Sequence, residues 1–321
     1  MHTDTLPQLR GRLFLTDGGM ETTLVFHEGR DLPEFAAFVL LRDEAGRDWL
    51  RRYYRHYAGI ARSHGFGFVL ETPTWRASAD WGRKLGLDAA ALTNLNREAI
   101  GLLHDLREEL ESPDLPMVLS GNLGPRGDGY RPTSAMTAVE AARYHGEQIR
   151  VLHDAGADYV SAFTLNDVEE AQGIADAAAA LKVPSVISFT VETDGLLPSG
   201  LGLREAVERV DQRAAQPPAY YMVNCAHPEH LYAALAEEGP WLARLRGLRV
   251  NASRRSHAEL DNSTEIDAGN PEELGDDCRT LARRLPELNV LGGCCGTDAR
   301  HVEAMARAWR TGRSWELEVK S

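Results

Sequence analysis

The segment Tyr159–Thr190 reads YVSAFTLNDVEEAQGIADAAAALKVPSVISFT. It holds two short apolar, β-branched runs, Tyr159–Phe163 and Ser185–Thr190, separated by the helix-favouring stretch Asp167–Leu181. Parallel strands need a connection of a dozen or more residues, and that connection is usually a helix. The segment therefore predicts one strand–helix–strand unit of a parallel α/β fold.

The same alternation extends in both directions over the rest of the chain. The further predicted strands are Arg12–Thr16, Phe66–Glu71, Met117–Ser120, Tyr220–Asn224, Leu248–Asn251 and Val290–Leu291. The further predicted helices are Asp48–His64, Asp88–Leu110, Ala138–Ala155, Leu203–Ala215, Glu229–Ala236, Pro271–Leu285 and Ala299–Arg310. Two helix starts carry their own signals, a capping box formed by Thr137 with Glu140 and an N-cap Asn270 before Pro271.

The chain shows eight strand–helix units, and no linker rich in Gly, Ser or Pro divides them. This organisation favours one closed (β/α)8 TIM barrel over a doubly wound sheet or over two medium domains. We therefore predict that residues 1–321 form a single domain of the α/β class. Its chemistry is expected in the loops at the carboxyl ends of the strands.

Composition excludes several classes of protein. Of the 321 residues 43% are hydrophobic and 26% are charged, which is typical of a folded globular protein. The net charge of −13 disfavours nucleic acid as a partner, because a duplex backbone would repel such a surface. No apolar stretch is long enough for a membrane span, and the first residues lack the apolar core of a signal peptide. We expect a cytoplasmic protein without membrane contact, and the sequence indicates no particular oligomeric state.

The cysteines fall into two groups. Cys225 follows the sixth predicted strand, and Cys294 and Cys295 follow the eighth, so all three are expected at the carboxyl rim of the barrel. Three thiolates suit Zn²⁺, and a site with three protein ligands keeps a fourth position open for a substrate. Cys278 instead continues an apolar stripe along one helix face, which is typical of a core residue. Four cysteines are too few for a disulfide framework and favour thiol or metal chemistry.

Three further groups of residues near the rim have competing interpretations. Asp17, followed by Gly18 and Gly19, is either an ordinary turn or a receptor for the ammonium and carboxylate of an amino acid. His227 either opens the helix after the sixth strand or serves as a metal ligand, and we favour the former. Aromatic side chains that either bind a cationic donor or simply pack are Phe26, Trp75 and Trp81.

The motifs at the strand ends resemble the homocysteine S-methyltransferase family over essentially the whole chain. The motifs are DGGMET at Asp17–Thr22, the pair Asn224-Cys225, and GGCCGT at Gly292–Thr297. The cysteine motifs are specific to the family, whereas the Asp-Gly motif alone would not be. ETPTW at Glu71–Trp75 and GNLGP at Gly121–Pro125 are similar to the loops after the second and third strands of that family. The resemblance implies a zinc-dependent barrel that methylates the sulfur of homocysteine to give methionine. It also implies that Cys225, Cys294 and Cys295 are the zinc ligands and that Asp17 contacts the amino acid.

One position departs from the family pattern. Family members usually place a glutamate for the substrate ammonium after the fourth strand, whereas Ser161–Asp167 contains none. Thr164 or Asn166 would then replace it with neutral hydrogen bonds, or Glu71 or Glu21 would supply the charge from another loop. The full set of predicted substrate contacts is Asp17, Gly18, Gly19, Glu21, Thr74, Thr164 and Asn166.

The expected partners are a small thiol acceptor and a methyl donor. A single barrel leaves no domain for folate or cobalamin, which favours S-methylmethionine or S-adenosylmethionine as donor over methylfolate, with a betaine-like ammonium donor still open. Donor contacts are expected from Trp75 and from the connection Thr22–Glu44. The alternatives are methylation of another small thiol, a zinc-dependent hydrolase, or a non-catalytic zinc protein whose fourth ligand is His227 or Cys278. An all-thiolate site suits the hydrolase poorly.

Overall fold

Parallel strands follow one another around a closed barrel in chain order, in a computed structural model that describes residues 6–131, 136–261, 263 and 265–318. The strands are β1 (Phe14–Leu15), β2 (Gly67–Glu71), β3 (Met117–Leu123), β4 (Tyr159–Leu165), β5 (Ser185–Phe189), β6 (Tyr220–Asn224), β7 (Leu245–Val250) and β8 (Val290–Gly293). The barrel closes where β1 pairs in parallel with both β2 and β8. The predicted (β/α)8 fold is confirmed.

Helices connect each strand to the next. They are α1 (Met20–Thr22), α2 (Glu44–His64), α3 (Ala79–Lys84), α4 (Ala89–Leu110), α5 (Ala138–Asp154), α6 (Val168–Leu181), α7 (Leu203–Arg213), α8 (Pro228–Ala234), α9 (His257–Asp261), α10 (Pro271–Ala282) and α11 (Ala299–Glu318). Both predicted helix starts are confirmed, since Thr137 and Glu140 form the capping box of α5 and the Asn270 side chain caps α10 ahead of Pro271. Among the described residues, no helix is long and apolar enough to cross a membrane.

Side-chain alternation along the strands produces two apolar layers. Val69 of β2 points into the barrel, while its neighbours Phe68 and Leu70 pack outward against the helices. The inner layer consists of residues from the strands together with Leu6, namely Leu6, Phe14, Val69, Val118, Tyr159, Phe163, Val186, Tyr220, Met222 and Val290. The barrel interior is therefore filled with side chains.

Several element ends differ from the prediction. The strands β3 and β4 continue to Leu123 and Leu165, past the predicted ends at Ser120 and Phe163, because Asn122 and Leu123 pair with β4 and are buried. The short helices α1, α3 and α9 had no periodic signal long enough to be predicted. The predicted domain also includes residues 1–5, 132–135, 262, 264 and 319–321, which lie outside the described residues.

Candidate functional site

A cavity of about 350 Å³ lies at the carboxyl end of the barrel. Its walls come from the ends of the strands and the loops that follow them. They consist of Glu21, Thr22, Phe35, Trp75, Arg76, Asn122, Asp128, Tyr130, Phe163, Thr164, Asn224, Cys225, Arg249, Asn251, His257, Leu260, Cys294 and Cys295. Aromatic rings, both signs of charge and three thiols therefore face the same space.

Three cysteines form one cluster in the wall of this cavity. The sulfur atoms of Cys225, Cys294 and Cys295 all lie within 4.8 Å of one another, and the Sγ atoms of Cys225 and Cys295 are 3.9 Å apart. Cys278 is buried in the apolar core on α10, away from the cavity. The structure thus groups the four cysteines as the sequence predicts, three at the rim and one in the core.

The structure also records a bond that the sequence did not indicate. Cys225 and Cys294 are paired as a disulfide, with their Cα atoms 5.5 Å apart. The expectation of thiol or metal chemistry at the rim concerns the reduced form of this pair, and it stays a prediction. The physical reason for the disulfide is that the ends of β6 and β8 meet at the rim, which brings the two Cα atoms into the usual disulfide range. Cys295 keeps a free thiol.

The reduced cluster fits a tetrahedral zinc ion. With Zn–S bonds of ~2.3 Å, two sulfur ligands of a tetrahedral site lie about 3.8 Å apart, close to the 3.9 Å between Cys225 and Cys295. Burial raises the pKa of Cys295 to about 11, so metal binding would have to displace its proton. Within the described part of the chain, neither His227 nor Cys278 joins this cluster. The cluster therefore offers three ligands rather than a closed set of four.

His227 has a structural task instead. Its Nδ1 accepts the backbone N–H of Glu229 at 3.2 Å and so caps α8. Burial lowers the pKa of His227 to about 4, which keeps the ring neutral and able to accept that hydrogen bond. The favoured interpretation, a loop histidine that opens a helix, agrees with this geometry.

A buried amide at the end of β6 sets the direction of Cys225. The Asn224 Oδ1 accepts the backbone N–H of Thr164 at 2.8 Å and the hydroxyl of Ser188 at 2.7 Å, and its Nδ2 donates to the Thr164 Oγ1. Thr164 and Cys225 both adopt the left-handed backbone region, with φ of 63° and 55°. Such strain in residues other than glycine clusters at functional sites. Asn224 thus ties two strained strand ends together beside the cavity.

Gly18 and Gly19, which were predicted to contact the substrate, have another role. The Gly19 N–H donates to the Thr297 carbonyl at 3.0 Å, and the Gly293 N–H donates to the Asp17 carbonyl at 2.9 Å. A Cβ on Gly19 would overlap the backbone carbonyl of Cys294. Gly18 and Gly19 therefore let the loops after β1 and β8 pack closely, and neither residue lines the cavity.

Asp17 is already engaged by a residue that the sequence analysis missed. The Arg249 Nη2 lies 2.5 Å from the Asp17 carboxylate, its Nη1 contacts the Glu71 carboxylate, and its Nε donates to the Gly293 carbonyl at 3.0 Å. Burial raises the pKa of Asp17, and the Arg249 charge opposes that rise. The geometry thus does not present Asp17 or Glu71 to a ligand as a free carboxylate. The alternation of β7 places Arg249 on the inward face with Gly247, but it does not indicate the two carboxylates that Arg249 meets there.

The other predicted contacts divide between the cavity and its supports. Glu21 and Thr164 line the cavity, whereas Thr74 and Asn166 do not. The Thr74 hydroxyl donates to the Asn122 carbonyl at 2.6 Å. The Asn166 amide donates to the backbone carbonyls of Asp128 and Gly129, which holds the loop that carries two other cavity residues.

The predicted aromatic wall already contains a cation. The Arg76 guanidinium lies 4.0 Å from the ring centre of Trp75 and 3.7 Å from that of Trp81. Trp75 lines the cavity, whereas Trp81 is buried behind Arg76 and Phe26 lies outside the cavity wall. For Phe26 and Trp81 the structure favours the packing alternative, because neither lines the cavity and the Arg76 guanidinium covers the Trp81 ring.

The comparisons with known proteins agree with this geometry. The family model for homocysteine S-methyltransferase matches residues 14–309. The homocysteine S-methyltransferase of Escherichia coli (strain K12) is 26% identical over 317 residues, covering 91% of this chain and 94% of that protein. Methionine synthase of Mycobacterium leprae (strain TN) is 26% identical over 95% of this chain, which spans only 25% of that protein.

Two solved structures share the fold. The metallated form of the homocysteine methyltransferase MmuM from Escherichia coli superimposes with a TM-score of 0.70 at 22% identity, covering 93% of this chain and 97% of that one. The oxidised form of the same protein gives a TM-score of 0.73 at 20% identity, covering 96% and 99%. Because the family model matches nearly the whole barrel, this chain belongs to the homocysteine S-methyltransferase family.

Proposed function

We propose that this protein transfers a methyl group from an onium donor to the sulfur of homocysteine, giving methionine. S-methylmethionine and S-adenosylmethionine are the donors we favour. The observation that carries the proposal is the cluster of three cysteines on the wall of the cavity. Membership of a methyltransferase family supports the same reaction.

We propose Cys225, Cys294 and Cys295 as the ligands of a zinc ion. When bound, the metal would supply an ionised acceptor thiol at neutral pH, where a free thiol is mostly protonated. Three cysteine thiolates carry more negative charge than the ion carries positive charge, so a thiol acceptor at the open position stays electron-rich. The Asn224 bridge to Thr164 would hold Cys225 in its ligating direction.

The proposed reaction needs no general base at the transfer step. A lone pair of the acceptor sulfur forms a bond to the methyl carbon, and the bond from that carbon to the donor sulfur breaks. The bonding pair returns to the donor sulfur and discharges its positive charge, while the acceptor proton has already left to solvent. What remains for the chain is orientation and exclusion of water, for which the apolar walls Trp75, Phe163 and Leu260 are suited.

A donor-by-acceptor matrix assayed by mass spectrometry tests the proposal. Reduced, zinc-loaded protein is expected to methylate homocysteine from S-methylmethionine or S-adenosylmethionine and to hold about one zinc per chain. Cys294→Ala should lose both zinc and activity. Cys278→Ala is the matched control, since it removes a buried thiol outside the cluster and should keep both.

The same matrix separates the alternatives. If another small thiol is methylated and homocysteine is not, the proposed acceptor would be wrong and the proposed type of reaction would stand. Absence of any methylated thiol, with zinc firmly held and lost in His227→Ala, would favour the non-catalytic closed site. Full zinc and full activity in Cys294→Ala would show that the proposed ligand set is wrong. The cytoplasmic location and the single domain over residues 1–321 stay predictions.

A further inference from the structure

Two oppositely charged side chains in the cavity wall lack ion-pair partners among the described residues. These are Glu21, in the short helix α1 that follows β1, and Arg76, in the loop after β2. In the same wall, Arg249 pairs with Asp17 and Glu71. Asp128 also lines the cavity, and its Oδ1 accepts the backbone N–H of Tyr130 at 2.8 Å. Glu21 and Arg76 thus offer one charge of each sign to a ligand in the cavity.

The Arg76 guanidinium is fixed in position, but not all of its N–H groups have hydrogen-bond partners within the described part of the chain. Its guanidinium is stacked between the rings of Trp75 and Trp81, and its Nη1 donates to the Gly127 carbonyl at 3.2 Å. Its Nε is buried and has no hydrogen-bond partner within the described part of the chain. Burial lowers the pKa of Arg76, and longer-range attraction, first to Asp128 and more weakly to Glu21, opposes this. A fixed, partly desolvated guanidinium with unused donors is a strong receptor for a carboxylate.

Glu21 provides a negative charge in the same cavity wall as the positive charge of Arg76. Burial raises the pKa of Glu21, and its own backbone N–H, then the charges of Arg249 and Arg76, act against the rise. Its neighbour Thr22 accepts the backbone N–H of Gly296 at 3.2 Å, so α1 lies beside the loop that carries Cys295. Glu21 and Cys295 line the same cavity, and a ligand ammonium would pair with the Glu21 carboxylate there.

We propose that Glu21 and Arg76 hold the ammonium and the carboxylate of the acceptor amino acid. This assignment rests on the proposed function, since it places the sulfur of that amino acid at the cysteine cluster. Each group then satisfies a charge that the fold leaves unpaired, whereas Asp17 is neutralised by Arg249. Glu21 supplies the negative charge that the loop after β4 lacks.

The test uses three acceptors that differ by one charged group. They are homocysteine, 4-sulfanylbutanoate, which lacks the ammonium, and 3-aminopropane-1-thiol, which lacks the carboxylate. KM for each acceptor and for the donor is measured with zinc-loaded wild type, Glu21→Gln, Arg76→Gln and the control Arg83→Gln. Arg83 is an exposed arginine outside the cavity wall that pairs with Asp80 at 3.0 Å. Calorimetric binding of the acceptors, without donor, gives a readout independent of turnover.

Each variant has a distinct expected pattern. Glu21→Gln should raise KM and Kd for homocysteine by about tenfold or more and leave 4-sulfanylbutanoate unchanged. Arg76→Gln should weaken homocysteine and 4-sulfanylbutanoate to a similar degree and leave 3-aminopropane-1-thiol unchanged. Arg83→Gln should change none of them, and the donor KM should stay constant throughout.

Other results would overturn the assignment. Equal losses for all three acceptors would mean that the two residues only support the fold, and melting curves of the variants would show that directly. A rise in the donor KM alone would assign the pair to the donor. Wild-type protein that binds the acceptors with the expected charge dependence but methylates none of them would refute the proposed function and leave the head-group receptor standing.

Discussion

At the residue scale, Arg249 determines how charge is distributed beneath the cavity. Its guanidinium lies between the carboxylates of Asp17 and Glu71, and all three side chains are largely buried. Replacing it with methionine would leave two carboxylates buried without a counter-ion. Arg249→Met should therefore lower the free energy of unfolding by about 3–5 kcal/mol, measured by urea denaturation at pH 7.

A matched control lies in the same strand. Arg246 pairs with Glu287 at 3.0 Å at the protein surface, so Arg246→Met should cost less than about 1 kcal/mol. Adding Glu71→Gln to Arg249→Met should recover part of the loss, because one buried charge disappears. A loss in Arg249→Met no larger than in Arg246→Met would show that the buried pairing contributes little to stability.

The cysteines could be predicted from sequence, whereas the arginines could not. Cys225, Cys294 and Cys295 are rare residues directly after apolar strands, so their type and position both indicated a shared site. Arg249 and Arg76 are common residues whose importance depends on the carboxylates and rings placed around them by distant strands. The engagement of Asp17 likewise could not be predicted, because its partner is 232 residues away.

At the element scale, the start of α11 depends on one aspartate. The Asp298 Oδ1 accepts the backbone N–H of Arg300 at 2.9 Å and lies 3.0 Å from the His301 Nδ1. Burial would raise the pKa of Asp298, but the hydrogen bonds from His301 and Arg300 outweigh it and hold the pKa well below its usual value. Asp298→Ala should cost about 1 kcal/mol of unfolding free energy at pH 7.

The pH dependence of this cost has a definite sign. Because the pKa of Asp298 is lower in the folded state, its contribution is complete above the ordinary value of 3.8 and is lost as the pH falls further. The difference in unfolding free energy between wild type and Asp298→Ala should thus stay constant above about pH 3.8 and shrink as the pH falls below that value. Asp276→Ala, a substitution of an exposed residue within α10, is the control. It should change the unfolding free energy little both above and below about pH 3.8. A difference in unfolding free energy between wild type and Asp298→Ala that stays constant as the pH falls below 3.8 would contradict this role of Asp298.

The elements themselves were largely predictable because their signals are local. The capping box of α5 and the Asn270 cap of α10 depend on residues three positions apart or fewer. The end of β3 was not predictable, because Asn122 is polar and its place in the sheet depends on its pairing with Ser161 of β4. Local patterns thus set where an element begins, while pairing with neighbours sets how far a strand continues.

At the scale of the whole molecule, the cysteine cluster joins parts of the chain that are distant in sequence. Cys225 and Cys294 are 69 residues apart and lie at the ends of β6 and β8. A metal held by both, with Cys295, binds only the folded barrel and so stabilises it by mass action, by about 2.7 kcal/mol at a hundredfold excess over Kd. Removal of zinc by a chelator, under reducing conditions, should therefore lower the melting temperature.

The cysteine variants make this prediction specific to the cluster. Cys278→Ala should retain the full difference in melting temperature between zinc-loaded and chelated protein, although its own stability falls because a buried side chain is shortened. Cys294→Ala should lose most of the difference, since two thiols remain to bind the metal. Oxidation should have the same effect as Cys294→Ala, because a disulfide between Cys225 and Cys294 consumes two of the three ligands. Equal melting temperatures for loaded and chelated wild type would show that the metal contributes nothing to holding β6 and β8 together.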